Sequence, residues 1–135
     1  MMKKILIVDD DVDVREVITE TLSSNGYSVE VAETGEEGWE KFEKFHPDLA
    51  ILDLVMETFD AGFILAYKIK KNRPEVPVIL ATSVNQESEI QFDLNEAKER
   101  QWIKADMFID KPINPGILLE RVNNILNLAQ DKSHH

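Results

Sequence analysis

The sequence has no cysteine, which excludes both a disulfide framework and a thiolate zinc site. Positive charge is scarce as well: 15 Lys and Arg stand against 26 Asp and Glu, a formal net charge of -11. Such a surface repels nucleic-acid phosphates, so direct DNA binding is not expected. Long apolar runs are also missing, and none approaches the length of a membrane-spanning helix. The opening MMKKILIVDDD reaches acidic residues after only a short apolar stretch, too short for a secretory leader. These absences lead to the expectation of a soluble, cytoplasmic chain with no membrane partner. At 135 residues it suits one domain, expected over 1–129, with no room for a second, effector domain. The closing DKSHH has no periodicity, so 130–135 is expected to be a disordered tail, its histidines a tag remnant rather than a metal site.

What is present is an alternation of apolar runs of strand length with stretches of helical period, the pattern of an α/β fold with a parallel sheet. The runs are residues 4–8, 27–31, 49–52, 76–81 and 107–109. Four are nearly continuous in apolar character, as strands covered on both faces should be; the second alternates, with Val29 and Val31 against Ser28 and Glu30, and reads as an edge. Val14, Val17, Ile18, Thr21 and Leu22 form the stripe of a first helix that Asn25-Gly26 can end. Thr34 and Glu37 have capping-box spacing for a second helix, which should bury Trp39 and Phe42. Gly62, Leu65, Ala66 and Ile69 share one face of a third helix that stops before Arg73-Pro74. Asn114-Pro115 opens the last, with Leu118, Val122, Ile125, Leu126 and Ala129 on one stripe. Between Ser83 and Lys104 the pattern is weak, and Asp93 and Glu96 are candidate caps for a helix running to about Ile103.

Strands each followed by a helix build an open, doubly wound sheet, whose ligands bind beyond the carboxyl ends of the strands. The residues there are Asp9, Asp10 and Asp11 after the first strand, Asp53 after the third, Thr82 and Ser83 after the fourth, and Asp110, Lys111 and Pro112 after the fifth. Crowded carboxylates repel one another, so either one has a raised pKa or a cation sits among them. Oxygen ligands without histidine or cysteine favour magnesium, calcium or manganese over zinc. A metal, the Lys111 ammonium and the Thr82 hydroxyl can each take one oxygen of a tetrahedral dianion. Asp53 is then the candidate nucleophile, accepting a phosphoryl group as an acyl phosphate. Asp11 reads more simply as the N-cap of the first helix, and Trp39, Phe42 and Tyr67 read as packing residues rather than a ligand cage. Phe92 and Trp102 suit either a core or an exposed docking patch.

The segments ILIVDDD, AILDLVM with Asp60 downstream, PVILATS and ADMFIDKPI occur in this order at strand ends, and over Lys3 to about Ala129 the chain resembles the receiver domains of two-component response regulators. The resemblance implies a five-stranded parallel sheet of flavodoxin-like order 2-1-3-4-5 with helices on both faces. It implies Asp53 as phosphoacceptor, and Asp9 and Asp10 with the backbone carbonyl of Val55 as Mg2+ ligands beside it. Thr82 is similar to the switch hydroxyl, Lys111 to the site lysine, and Phe108 to the aromatic that turns on phosphorylation. The implied donor is a phosphohistidine on a sensor histidine kinase or phosphotransfer protein. The implied output is a downstream protein target on the face of the family's fourth helix, fifth strand and fifth helix, from a monomer or a phosphorylation-dependent dimer. Such a domain is a regulator rather than an enzyme, catalysing only its own phosphorylation and dephosphorylation.

The chain departs from the family pattern at Glu57, where proline is usual, at Ala61, which separates Asp60 from Gly62, and at Ser83, where alanine is common. Val55 and Val84 resemble positions whose side chains in this family lie near the path of the hydrolytic water; neither valine can orient that water, so the resemblance implies a long-lived phosphoryl state. Three other readings are weighed. A phosphorylation-independent pseudo-receiver would lack the aspartate, the acidic pair or the lysine. A phosphohydrolase would need a general acid at Val55. Flavin binding would need a phosphate-cradling loop where Asp9, Asp10 and Asp11 stand.

Overall fold

The computed structural model describes residues 2–54, 61–83 and 105–133. Along the chain they form β1 (Lys4–Val8), α1 (Val12–Ser23), β2 (Ser28–Ala32), α2 (Gly35–Phe45), β3 (Leu49–Asp53), α3 (Ala61–Asn72), β4 (Val78–Ser83), β5 (Met107–Lys111) and α4 (Pro115–Ser133). The five strands form one parallel sheet in the order β2-β1-β3-β4-β5, so the expected fold is the one observed. Val55, Glu57, Asp60, Val84, Phe92, Trp102 and the expected helix near Asp93 and Glu96 lie outside the described residues.

Side chains alternate across the sheet, and each parity builds its own core. Leu6 and Val8 of β1, Ala50 and Leu52 of β3, and Val78 and Leu80 of β4 pack with Phe42, Leu65, Ala66 and Ile69 beneath α2 and α3. Ile5 and Ile7, Leu49 and Ile51, and Ile79 and Ala81 pack on the other face with Ile18, Leu22, Leu118 and Val122 of α1 and α4. Each fully buried aliphatic side chain contributes about 1.5–3 kcal/mol, and both layers hold the sheet rigid beneath its polar rim.

Local chemistry starts and stops the helices as the sequence suggests. Asp11 caps α1, its side chain accepting from the amides of Asp13 and Val14. Gly26, at φ +91°, turns the chain into β2. Thr34 accepts from the Glu37 amide at the start of α2, while the Glu37 carboxylate turns to Lys41 at 3.4 Å. Asn114 accepts from the Ile117 amide at 3.1 Å, with Pro115 as the first residue of α4.

Some boundaries and faces differ from expectation. β4 begins at Val78 because Pro77 has no amide to give the ladder, and it runs on through Thr82 and Ser83, which pair with Asp110 and Lys111 of a correspondingly longer β5. β2 is an edge as expected, and β5, partly exposed, is the other. Val17 is 38% exposed, because the buried stripe of α1 narrows to Ile18 and Leu22. Tyr67 is 50% exposed and not a packing residue: it projects from α3 opposite Leu65, Ala66 and Ile69. α4 continues to Ser133, so residues 130–133 extend the helix; no glycine or proline interrupts it after Gly116.

Candidate functional site

Parallel pairing sets the carboxyl ends of the strands side by side. Val8 pairs with Leu52, which brings Asp9 next to Asp53, and Asp53 itself pairs with Ala81, one residue before Thr82. Thr82 in turn pairs with Asp110, and Ser83 with Lys111. Asp9, Asp53 and Thr82 are buried, at 2%, 3% and 1% exposure, whereas Asp10 stands in solvent. Carboxylate oxygens of Asp9, Asp10 and Asp53 all lie within 4.8 Å of one another. The Lys111 ammonium reaches two of these groups, at 2.9 Å from Asp9 Oδ2 and 3.1 Å from Asp53 Oδ1. The peptide joining Lys111 to Pro112 is cis.

The two buried acids are held differently. Asp9 has a partner for every polar group: its amide donates to the Ala32 carbonyl at 3.0 Å, its Oδ1 accepts from the Asp11 amide at 2.9 Å, its Oδ2 meets Lys111, and its carbonyl accepts from Arg15 at 2.7 Å. Asp53 Oδ1 is buried and accepts no well-directed hydrogen bond among the described residues. The 3.1 Å approach of Lys111 to it is therefore an ion pair by charge rather than a formed hydrogen bond. Burial first, and then the Asp9 carboxylate, push the Asp53 carboxyl from its usual 3.8 up to about 6, against the opposing pull of Lys111. Burial alone would lower Lys111, but Asp9 and Asp53 outweigh it and hold the ammonium above the ordinary lysine value.

Gly62 fixes the backbone beneath Asp53. Its amide donates to the Leu54 carbonyl at 3.0 Å, and a Cβ on it would lie 2.3 Å from the Asp53 carbonyl oxygen and 2.7 Å from Leu54 Cα. Only a glycine lets α3 start this close to the end of β3. The sequence marks Gly62 merely as one small residue on an apolar face, and Arg15 not at all. An arginine close behind a run of aspartates was the available signal for the second.

The expected residues Asp9, Asp10, Asp53 and Lys111 thus converge. Thr82 is buried at the adjoining strand end, and Phe108, half-buried on β5, packs against the core under α2 and α3. Val55, expected to offer its carbonyl, lies outside the described residues.

A model of the response regulator receiver domain matches residues 5–123. The chain belongs to that family. This receiver is 33% identical over 131 residues to probable transcriptional regulator ycf27 of Porphyridium aerugineum, covering 97% of the chain and 51% of that protein. It is 32% identical over 126 residues to response regulator MprA of Mycolicibacterium vanbaalenii, covering 93% and 51%. The receiver therefore spans about half the length of these curated relatives. Among solved structures it superposes on a CheY-like receiver domain protein from Methanospirillum hungatei with TM-score 0.82 and 33% identity, over 98% of this chain and 99% of that one. Chemotaxis response regulator CheY4 of Vibrio cholerae matches with TM-score 0.77 and 28% identity, over 93% and 99%. The receiver is thus a signalling domain of two-component systems. No helix among its described residues is long and apolar enough to cross a membrane.

Proposed function

We propose that this receiver is a phosphorylation-controlled switch in which Asp53 accepts a phosphoryl group from a phosphohistidine on a sensor histidine kinase or phosphotransfer protein. The observation that carries the reading is the clustering of three carboxylates, two of them on a single ammonium, around a buried Asp53 whose Oδ1 accepts no well-directed hydrogen bond among the described residues. An Asp53 carboxylate oxygen attacks phosphorus, the P–N bond to the histidine breaks, and the imidazole leaves with a proton. Lys111, already at Asp53, neutralises charge that gathers on the phosphoryl oxygens, and the Thr82 hydroxyl supplies a donor at the adjoining strand end.

The donor set fits Mg2+: hard oxygens only, with three negative charges against one positive. Asp9, Asp10 and Asp53, joined by the carbonyl of Val55, would hold it. When bound, it supplies further positive charge for the phosphoryl oxygens. Output then passes to a downstream protein through the face that includes β5 and the final helix. Phe108 and Thr82 carry the change there, and Arg121 of the final helix donates to the Phe108 carbonyl at 2.9 Å.

Intact mass after incubation with acetyl phosphate, with and without Mg2+, tests the reading on the wild type and Asp53→Ala. A Mg2+-dependent gain of one phosphoryl group, absent in the variant, is expected. A wild type that binds Mg2+ yet gains nothing would overturn it in favour of a phosphorylation-independent protein-binding module.

A further inference from the structure

Arg15 has no part in the chemistry above, yet it is tied to the acidic loop more closely than a surface arginine would be. It sits in the first turns of α1 with its side chain only 13% exposed. The guanidinium folds back over the helix start: Nη1 donates to the Asp9 carbonyl at 2.7 Å, and Nη2 reaches Glu33 Oε1, in the loop after β2, at 3.3 Å. One planar fork thereby joins the loops that follow two neighbouring strands.

The Asp9 carbonyl matters because it belongs to the peptide plane that leads into Asp10. That plane is rigid, so fixing its oxygen fixes the direction in which the chain enters Asp10. Asp10 needs this help: its exposed carboxylate accepts no hydrogen bond and forms no ion pair among the described residues. Its place within 4.8 Å of Asp9 and Asp53 therefore depends on the direction in which the backbone presents it. Asp9, by contrast, is pinned at its amide and at both carboxylate oxygens without Arg15. Loss of the guanidinium would therefore free chiefly the Asp9–Asp10 peptide and leave the rest of the loop in place.

We infer that Arg15 is a positioning residue for a divalent-cation site. By holding the Asp9 carbonyl and bracing it on Glu33, it keeps the Asp10 carboxylate aimed at Asp53. The inference rests on the reading of Asp9, Asp10 and Asp53 as a Mg2+ site, and it makes Arg15 act on metal affinity rather than on the phosphoryl group. Outer groups that orient metal ligands typically alter affinity by about 10–100-fold.

Calorimetric titration of Mg2+ into the full chain provides the test, with wild type, Arg15→Ala, Arg15→Lys and Glu33→Gln compared under one ionic strength. Arg15→Ala should bind Mg2+ about tenfold more weakly or worse while keeping a folded circular dichroism spectrum. Labelling by acetyl phosphate should return to within about twofold of the wild-type rate once Mg2+ is saturating, since only metal affinity has been lost. Arg15→Lys keeps the charge but not the fork, and should remain several-fold weaker than wild type. Glu33→Gln removes only the charge of the outer brace and should fall between wild type and Arg15→Ala. Mg2+ affinity unchanged in Arg15→Ala, or fully restored in Arg15→Lys, would overturn the inference. A wild type that fails to bind Mg2+ would instead overturn the underlying reading of the site. Should Arg15→Ala not fold, the lysine and Glu33 variants still decide the question.

Discussion

The two ends of the sheet use aspartate in opposite ways. At the amino end, Asp48 and Asp106 are each locked to the backbone at the start of another strand. Asp48 accepts from the Lys4 amide at 2.8 Å and returns its own amide to the Lys4 carbonyl at 2.7 Å. Asp106 does the same with Val78, at 2.8 Å in both directions, and its carboxylate also meets the Lys70 ammonium at 2.6 Å. Each acid there has donors of its own. At the carboxyl end, the carboxylates of Asp9, Asp10 and Asp53 lie within 4.8 Å of one another, one ammonium serves both Asp9 and Asp53, and Asp53 Oδ1 accepts no well-directed hydrogen bond among the described residues. The same strands carry both ends, so propensity and sheet geometry do not account for the difference. Acids at the amino end stabilise the fold, whereas at the carboxyl end Asp9 is satisfied but Asp10 and Asp53 are kept under-satisfied, ready for a cation or a phosphoryl group.

If the carboxyl end is held by backbone packing rather than by its polar groups, the most damaging change there is at Gly62. Gly62→Ala places a methyl 2.3 Å from the Asp53 carbonyl oxygen, an atom no rotamer change can move aside. The expected loss is on the order of 3 kcal/mol or more, read as a lower denaturant midpoint. An unchanged midpoint would mean that polar contacts, not this close approach, set the geometry of the site.

At the amino end the comparison predicts an ordinary loss. Asp106→Ala removes the acceptor from the Val78 amide and the partner of Lys70, an ion pair with Asp106 partly exposed. It should cost about 2 kcal/mol. Asp106→Asn keeps an acceptor for the amide and should cost about half of that. Equal losses in the two variants would assign the stabilisation to the ion pair instead of the backbone contact.

How much of this contrast the sequence could show depends on whether an interaction follows chain order or depends on the folded packing. Strand runs, helix caps at Asp11, Thr34 and Asn114, and the acids and lysine that follow β1, β3 and β5 are local patterns, and a parallel sheet carries such strand-end residues to one rim. The Asp48–Lys4 and Asp106–Val78 pairs join residues 44 and 28 positions apart, and nothing in spacing marks them. Arg15 reads as one polar helix residue among several until the side chain is seen to fold back on Asp9. Gly62 was legible as small but not as indispensable, since the constraint comes from the carbonyl of another element. Boundary shifts in β4 and β5 have the same origin, with Thr82 and Ser83 drawn into strand by Asp110 and Lys111.

The smallest expected effect has the opposite sign and sharpens the comparison most. Asp53 titrates near 6 in the folded chain against an ordinary 3.8, so between those values the folded state binds more protons than the unfolded. Stability contributed by this group therefore falls as pH rises through that window, and the full penalty for its charge is present at neutral pH. Asp53→Asn removes the penalty. Without divalent cations the variant should be more stable than wild type by about 1–2 kcal/mol at pH 7.5, less than the full shift converts to because the site opens to solvent at Asp10. Denaturant midpoints measured across pH should converge below about pH 3, where the wild-type carboxyl is protonated in both states. Adding Mg2+ at pH 7.5 should then stabilise the wild type more than the variant, since a cation bound only to the folded site raises stability by mass action. A wild type more stable than Asp53→Asn at pH 7.5 in the absence of metal would mean that Lys111 satisfies Asp53 as fully as Val78 satisfies Asp106, and the distinction between the two ends of the sheet would fail.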